Sequence, residues 1–288
     1  MIIALMSFNR PAYLKKVLES IETQIEDDYE IILFQDGAVN KYSWRKCANQ
    51  TDIDECVSLF KKSFPNSKTV VSPTNIGVAQ NFNEAEYLLF DEQGYDEVLF
   101  LEDDMILSPY YFTIIKNLLN EFRDNEQVGM VSAYGDINDS IEYQTENAQI
   151  LKPIDHLWGY ATTRKTWEKR SPYYFEWYIP FINDKDYVHR DVSLISQWYE
   201  EIGYKPLASS QDAARTIAML RAGQIGIATY PNCGQYIGAH GLHFHPQSPA
   251  WDEVKGREFY KEDISQFDYD DESLSDIEYA LKEKWKKF

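Results

Sequence analysis

The chain has 288 residues, 44% of them hydrophobic, which suits one large globular domain or two closely joined halves. Its 28 basic and 47 acidic side chains leave a formal charge of −19. That excludes a general nucleic-acid binder, which needs a basic face. It also repels an anionic substrate at long range, so a site for one needs a metal ion or local Arg and Lys. Three scattered cysteines, Cys47, Cys56 and Cys233, make neither a disulfide framework nor a CxxC pair. Free thiols in a reducing cytoplasm are expected. The apolar start Met1–Met6 has no basic segment before it and is too short for a signal peptide or a membrane span.

In chain order, Ile2–Met6 reads as a strand. A helix follows from Pro11, where a missing N–H costs nothing, with Leu14, Val17, Leu18 and Ile21 on one face. Tyr29–Phe34 is a second buried strand, ending in Gln35-Asp36-Gly37. Thr51–Phe64 is a helix, Lys68–Ser72 a third strand, and Val78–Phe90 another helix after the turn Pro73–Gly77. Glu97–Leu101 is a fourth strand, and Pro109–Phe122 the next helix. Beyond it the pattern weakens. Val128–Ala133 and Gln224–Thr229 read as strands, Val192–Ile202 and Asp212–Ala222 as helices, and residues 134–183 are aromatic-rich without a clear period. Strands alternating with helices imply an α/β fold with a mainly parallel sheet.

The fourth strand runs directly into Glu102-Asp103-Asp104. Three adjacent carboxylates repel one another, the more so when buried, so they belong in water or on a cation. The polar ends Ser7–Arg10, Gln35-Asp36, Ser72 and Glu102–Asp104 all fall on one edge of a parallel sheet, where open α/β sheets bind ligands. No glycine-rich phosphate loop follows the first strand, since Phe8-Asn9-Arg10-Pro11 contains no glycine. A diphosphate would therefore be held by a Mg²⁺ or Mn²⁺ ion on the acidic run, helped by Arg10. Asp36 can accept the imide N–H of uracil; the alternative for Asp36-Gly37, and for Asn75-Ile76-Gly77, is a tight turn.

The ordered set Met6–Pro11, Phe34–Gly37, Asn75–Asn81 and Leu101–Met105 resembles glycosyltransferases of the GT-A fold, family 2 type. Asn9-Arg10, Gln35-Asp36-Gly37, Glu102-Asp103-Asp104, Val131-Ser132-Ala133 and Ala239-His240-Gly241 are also similar to N-acetylglucosaminyltransferase I. The resemblance covers about Met1 to Phe244 and is looser after Tyr134. It implies a GT-A-like (Rossmann-like) α/β/α sandwich. Residues 1–105 would form a nucleotide-sugar-binding half, 106–245 an acceptor-binding and catalytic half, and 246–288 an acidic C-terminal extension.

The resemblance also assigns roles. Arg10, Asp36, Asn75, Glu102, Asp103, Trp158 and Gly159 would contact the donor. Asp104 would hold Mn²⁺ or Mg²⁺, with His240 a second ligand unless it lies in a surface loop with His243 and His245. Glu102 departs from the Asp that opens a DXD motif. Asp212 matches the second member of the acidic pair that supplies the family's general base, while Gln211 departs at the first. Helix capping is the other reading of Asp212, and Asp155, Asp184, Asp186 and Asp191 stand in reserve. Trp158 is either a sugar platform or plain core.

The implied activity is an inverting, metal-dependent transfer from a nucleotide-sugar, UDP-linked by expectation, to a glycan, glycolipid or glycoprotein hydroxyl. The alternatives are a nucleotidyltransferase, which would ordinarily show a glycine-rich loop, and a non-catalytic sugar-binding module. The expected location is cytoplasmic. Lys282–Phe288 offers weak contact with the inner face of a membrane through Trp285, Phe288 and the lysines, or else is a frayed helix end.

Overall fold

The computed structural model describes the chain apart from residues 26–28, 155, 241–245, 248 and 288. Its centre is β1 (Ile2–Ser7), buried at every position. Such a run with no polar alternation is what a strand covered on both faces requires. Side chains alternate nonetheless. Ile3 and Leu5 enter one core with Leu14, Val17, Leu18 and Ile21, whereas Ile2, Ala4 and Met6 enter a second core with Phe34, Phe82 and Phe100. The protein is thus a three-layer α/β/α sandwich.

To one side of β1 lie β2 (Glu30–Gln35) and β3 (Lys68–Val71); to the other lies β4 (Glu97–Glu102). All of these pairings are parallel. Helices α1 (Pro11–Glu22), α2 (Gln50–Ser63) and α3 (Gly77–Glu86) connect them, with Pro11 in the first turn of α1. The predicted helix over 78–90 changes pitch: residues Tyr87–Glu92 form a π-helical turn that carries Leu89 and Phe90 inward. Phe90 meets Phe100 and stacks on Trp167 at 5.9 Å. The third strand ends a residue earlier than predicted, and Ser72 instead donates its hydroxyl to Thr74 C=O at 2.7 Å.

Beyond β4 come β5 (Met105–Leu107), α4 (Tyr111–Glu121), β6 (Val128–Ser132), α5 (Ile141–Glu146), β7 (Leu151–Pro153) and β8 (Gly159–Thr163). The chain continues through α6 (Arg164–Trp177), α7 (Ile179–Ile182), α8 (Val192–Glu201), α9 (Gln211–Arg221), β9 (Ile225–Thr229), β10 (Gly234–Tyr236), α10 (Pro249–Lys255) and α11 (Asp271–Trp285). One eight-stranded sheet, in the order β3-β2-β1-β4-β8-β6-β9-β7, spans both halves of the chain. β8 is antiparallel to both β4 and β6, and β7 is antiparallel to β9. β5 and β10 form a separate antiparallel pair at the end of β4.

Residues after 245 pack into the same body. Leu274, Ile277, Leu281 and Trp285 of α11 are buried in the core that holds β9. Asp270 opens α11 with a capping box to Ser273, and Lys282 and Lys284 fall in its last turn, where they complement the helix dipole. Among the described residues no helix is long and apolar enough to cross a membrane.

Candidate functional site

The strand ends deliver three groups to one edge. Asp103 and Asp104 follow β4 and are almost fully buried. Arg10, at the start of α1, spreads its guanidinium across both, with Nη2 on Asp103 Oδ1 and Nη1 on Asp104 Oδ2. The fork suits two carboxylates because it presents parallel donors in one plane. Phe8 N–H donates to the other Asp103 oxygen at 3.0 Å. The remaining oxygen, Asp104 Oδ1, is buried and has no hydrogen-bond partner among the described residues. Burial pushes the Asp104 carboxyl up to about 6, with the Arg10 charge pulling against it.

The small β5–β10 pair shapes the wall beside Asp104. Its register sets Met105 opposite Tyr236, and Ile237 N–H donates to Asp104 C=O at 2.8 Å. Gly238 then passes directly over the carboxylate. A Cβ there would stand 2.3 Å from both Asp104 Oδ2 and the Tyr236 hydroxyl. Trp158 stacks on Tyr236 at 4.4 Å and on His156 at 5.0 Å, so it stands at the acidic run as one leaf of an aromatic wall. Tyr236 and Gly238 escaped the sequence reading, because a Tyr in a three-residue strand and a Gly two residues on carry no pattern.

Asp36 is engaged within the chain. Its Oδ1 accepts Gly37 N–H and Ile76 N–H, both at 2.8 Å, and its Oδ2 accepts Asn75 Nδ2 at 2.8 Å and Gly77 N–H at 3.0 Å. A carboxylate offers about four acceptor positions, and these are in use. In this arrangement Asp36 and Asn75 together lock the end of β2 to the start of α3, as the turn reading expects. Close approach makes Gly37 necessary there, since a Cβ would lie 2.4 Å from Thr74 C.

Gly159 lies inside the sheet. Its carbonyl accepts the hydroxyls of Tyr111 at 3.1 Å and Ser132 at 2.6 Å, and a Cβ would meet the Tyr111 hydroxyl at 2.6 Å. This buried glycine makes room for Tyr111. His240 is exposed, and its backbone N–H donates to the Tyr13 hydroxyl at 3.2 Å. Among the described residues no group of three or more His, Cys, Asp or Glu side chains is arranged to hold a metal ion. His243 and His245 lie outside the described residues.

Asp212 reaches the same edge from the second half. It sits in the first turn of α9, which Ser210 caps by accepting Ala213 N–H at 3.3 Å, so capping does not explain Asp212. Burial first, then the charges of Asp104 and Asp212, hold the Glu102 carboxyl well above its ordinary range. That coupling joins the acidic run to α9, far apart in sequence. Of the reserve candidates, Asp191 caps α8, and Asp184 meets the Tyr42 hydroxyl at 3.4 Å. Asp186 is paired with Arg45 at 2.8 Å; burial works to raise its carboxyl, but hydrogen bonds from Arg45, Ser43 and Val188 N–H hold it down at about 2. Asp155 lies outside the described residues.

Behind Asp212 is a buried charged cluster that the sequence reading missed. Glu86 of α3 receives Arg170 of α6 and Arg215 of α9, the latter at 3.2 Å. In a lone sequence these residues look like ordinary exposed helix charges.

A mainly parallel α/β sandwich is a Rossmann-like fold, and open sheets of this kind commonly bind ligands at the strand ends. The chain belongs to glycosyl transferase family 2, whose family model matches residues 2–202. Among solved structures it is similar to S. aureus TarS 1–349, with 11% identity and a TM-score of 0.43, over 79% of this chain and 59% of that one. It is also similar to TarS 1–349 in complex with UDP-GlcNAc (17% identity, TM-score 0.34, 46% of this chain and 33% of that one). A third match is galactosyltransferase LgtC in complex with donor and acceptor sugar analogs (12% identity, TM-score 0.41, 98% and 96% of the two chains). The chain spans 20% to 59% of the length of the TarS chains it matches. No curated protein is matched by this sequence.

Proposed function

We propose that this protein transfers a hexosyl or N-acetylhexosaminyl group from a nucleotide-sugar, UDP-linked in this reading, to a hydroxyl of a glycan, glycolipid or glycoprotein, with inversion at the anomeric carbon. Membership of glycosyl transferase family 2 supports the reaction class. What supports the assignment of roles is the place of Asp212 in the first turn of α9, where Ser210 and not Asp212 is the cap, together with its charge adding, after burial and Asp104, to the rise of the Glu102 carboxyl. In the reading, the Asp212 carboxylate takes the proton of the acceptor hydroxyl as that oxygen forms its bond to the anomeric carbon. The bond from that carbon to the phosphate oxygen breaks, and its electron pair leaves with the nucleoside diphosphate. Arg10 offsets part of the negative charge of Asp103 and Asp104. Trp158 offers an aromatic face to a sugar ring.

A Mn²⁺ or Mg²⁺ ion belongs to this reading, and one buried oxygen of Asp104 supports it. Asp104 keeps that oxygen without a partner among the described residues, and these ions are commonly held by one or two carboxylates together with substrate phosphates. When bound, the ion would offset the charge of the departing diphosphate. Asp104 is the ligand in this reading, with His240 a second.

The test pairs binding with turnover. Asp212→Asn should lower transfer at least about 100-fold, while thermal stabilisation by the nucleotide stays as in the wild type. Normal turnover by that variant removes Asp212 from the mechanism. A thermal-shift panel of UDP, GDP, TDP and CMP with and without Mn²⁺ tests the donor, and no stabilisation by any nucleotide would overturn the donor class.

A further inference from the structure

We propose that Gln211 is a positioning residue for Asp212, and that Arg215 and Glu86 fix the direction in which its amide points; this rests on Asp212 being the general base. Gln211 is 2% exposed. Its Oε1 accepts from Arg215 Nη1, and its Nε2 donates to Asp212 Oδ1. Arginine has donors and no acceptor, so the amide oxygen must face it and the NH₂ must face Asp212. Rotating the amide by half a turn would set NH₂ against a guanidinium and oxygen against a carboxylate. The orientation therefore follows from charge.

Arg215 is itself immobilised. It donates to Glu86 at 3.2 Å, to Asn83 Oδ1 at 2.9 Å and to the Tyr174 hydroxyl at 3.1 Å. Gln211 N–H is held by the Tyr187 hydroxyl at 2.9 Å, which fixes the start of α9. Within this cluster Glu86 balances one of the two guanidiniums of Arg170 and Arg215. Asp212 supplies the second negative charge, joined to Arg215 through the Gln211 amide. A glutamine at 211 thus links a base to a buried cation without adding a charge of its own. An acid there would leave the cluster with an excess negative charge next to Asp212. That accounts for the departure from the acidic pair seen in the sequence.

Gln211→Glu separates this role from a merely structural one. It keeps side-chain length and an acceptor for Arg215, so a structural role predicts an unchanged enzyme. The positioning role predicts that kcat falls about tenfold or more at neutral pH, because a carboxylate oxygen replaces the donor to Asp212. The acid limb of the kcat/KM profile should move to higher pH by about one unit, while donor affinity stays near wild type. Glu102, Tyr160 and Tyr187 also feel Asp212; they are common to both enzymes, so the shift between profiles reports position 211. If the Glu variant does not fold, Gln211→Met gives the same reading, with the loss confined to kcat. Wild-type kcat and pH profile in Gln211→Glu, or wild-type kcat in Gln211→Met, would overturn the proposal. Turnover by Asp212→Asn would instead overturn the general-base reading, whatever the Gln211 variants do.

Discussion

A single side chain, Asp36, decides how the end of β2 is organised. It receives Gly37, Ile76 and Gly77 N–H and the Asn75 amide, and it is buried. Burial raises its carboxyl from 3.8 to about 6, more than those backbone N–H groups pull it down. A carboxyl raised on folding favours the native state at low pH and loses that contribution as pH climbs through the native value. The shift amounts to about 3 kcal/mol, fully present below pH 4 and gone above pH 6 or 7. Urea unfolding of wild type and Asp36→Asn across pH 4–7 should show the stability gap between them shrinking by up to that amount as pH rises. A gap that does not change with pH would show that Asp36 titrates alike in both states. The aspartate itself was legible in the sequence as a polar strand end. Its partners were not, since three of the four are backbone N–H groups, which no side-chain pattern records.

At the level of elements, legibility followed apolar periodicity. β1, β2 and β4 are unbroken buried runs, and α1 and α4 carry clean stripes, so the first half of the fold could be read directly. β8 is Gly-Tyr-Ala-Thr-Thr, small and polar, and takes its place only because β4 and β6 flank it. β5 and β10 have three residues each, too short for any period. The same limit hid the cluster joining α3, α6 and α9. Three charged residues on separate helices do not announce that Glu86, Arg170 and Arg215 are each at most 3% exposed. Buried ion pairs add little net stability, but removing one partner leaves a charge without compensation. Glu86→Gln should therefore cost about 3–5 kcal/mol in chemical unfolding. Because Arg215 orients Gln211, the variant should also lower kcat even at temperatures where it is fully folded. A loss below about 0.5 kcal/mol, as for an ordinary surface change, would mean that the two arginines find other partners.

For the whole molecule, the question is what the acidic C-terminal region contributes. Composition alone suggested an acidic extension with an aromatic, basic tip. Leu274, Ile277, Leu281 and Trp285 instead form a stripe on α11 that faces the core, and Trp285 is 4% exposed. The backbone beyond is fastened too: Lys205 N–H donates to Trp285 C=O at 2.7 Å, and Lys287 N–H to Gly203 C=O at 3.0 Å. α11 thus closes over the face that carries β7 and β9, the far edge of the sheet from β3 and β2. Two roles for Trp285 make opposite predictions. If it is core, Trp285→Ala loses the buried area and leaves a cavity, at about 3–5 kcal/mol. The melting temperature then falls by several degrees, while binding to anionic vesicles does not change. If it is a membrane anchor, the variant keeps wild-type stability and loses vesicle binding. Its burial favours the first outcome. Parallel thermal melts and vesicle sedimentation would decide, and a stable variant that no longer sediments would return the C-terminus to the membrane surface.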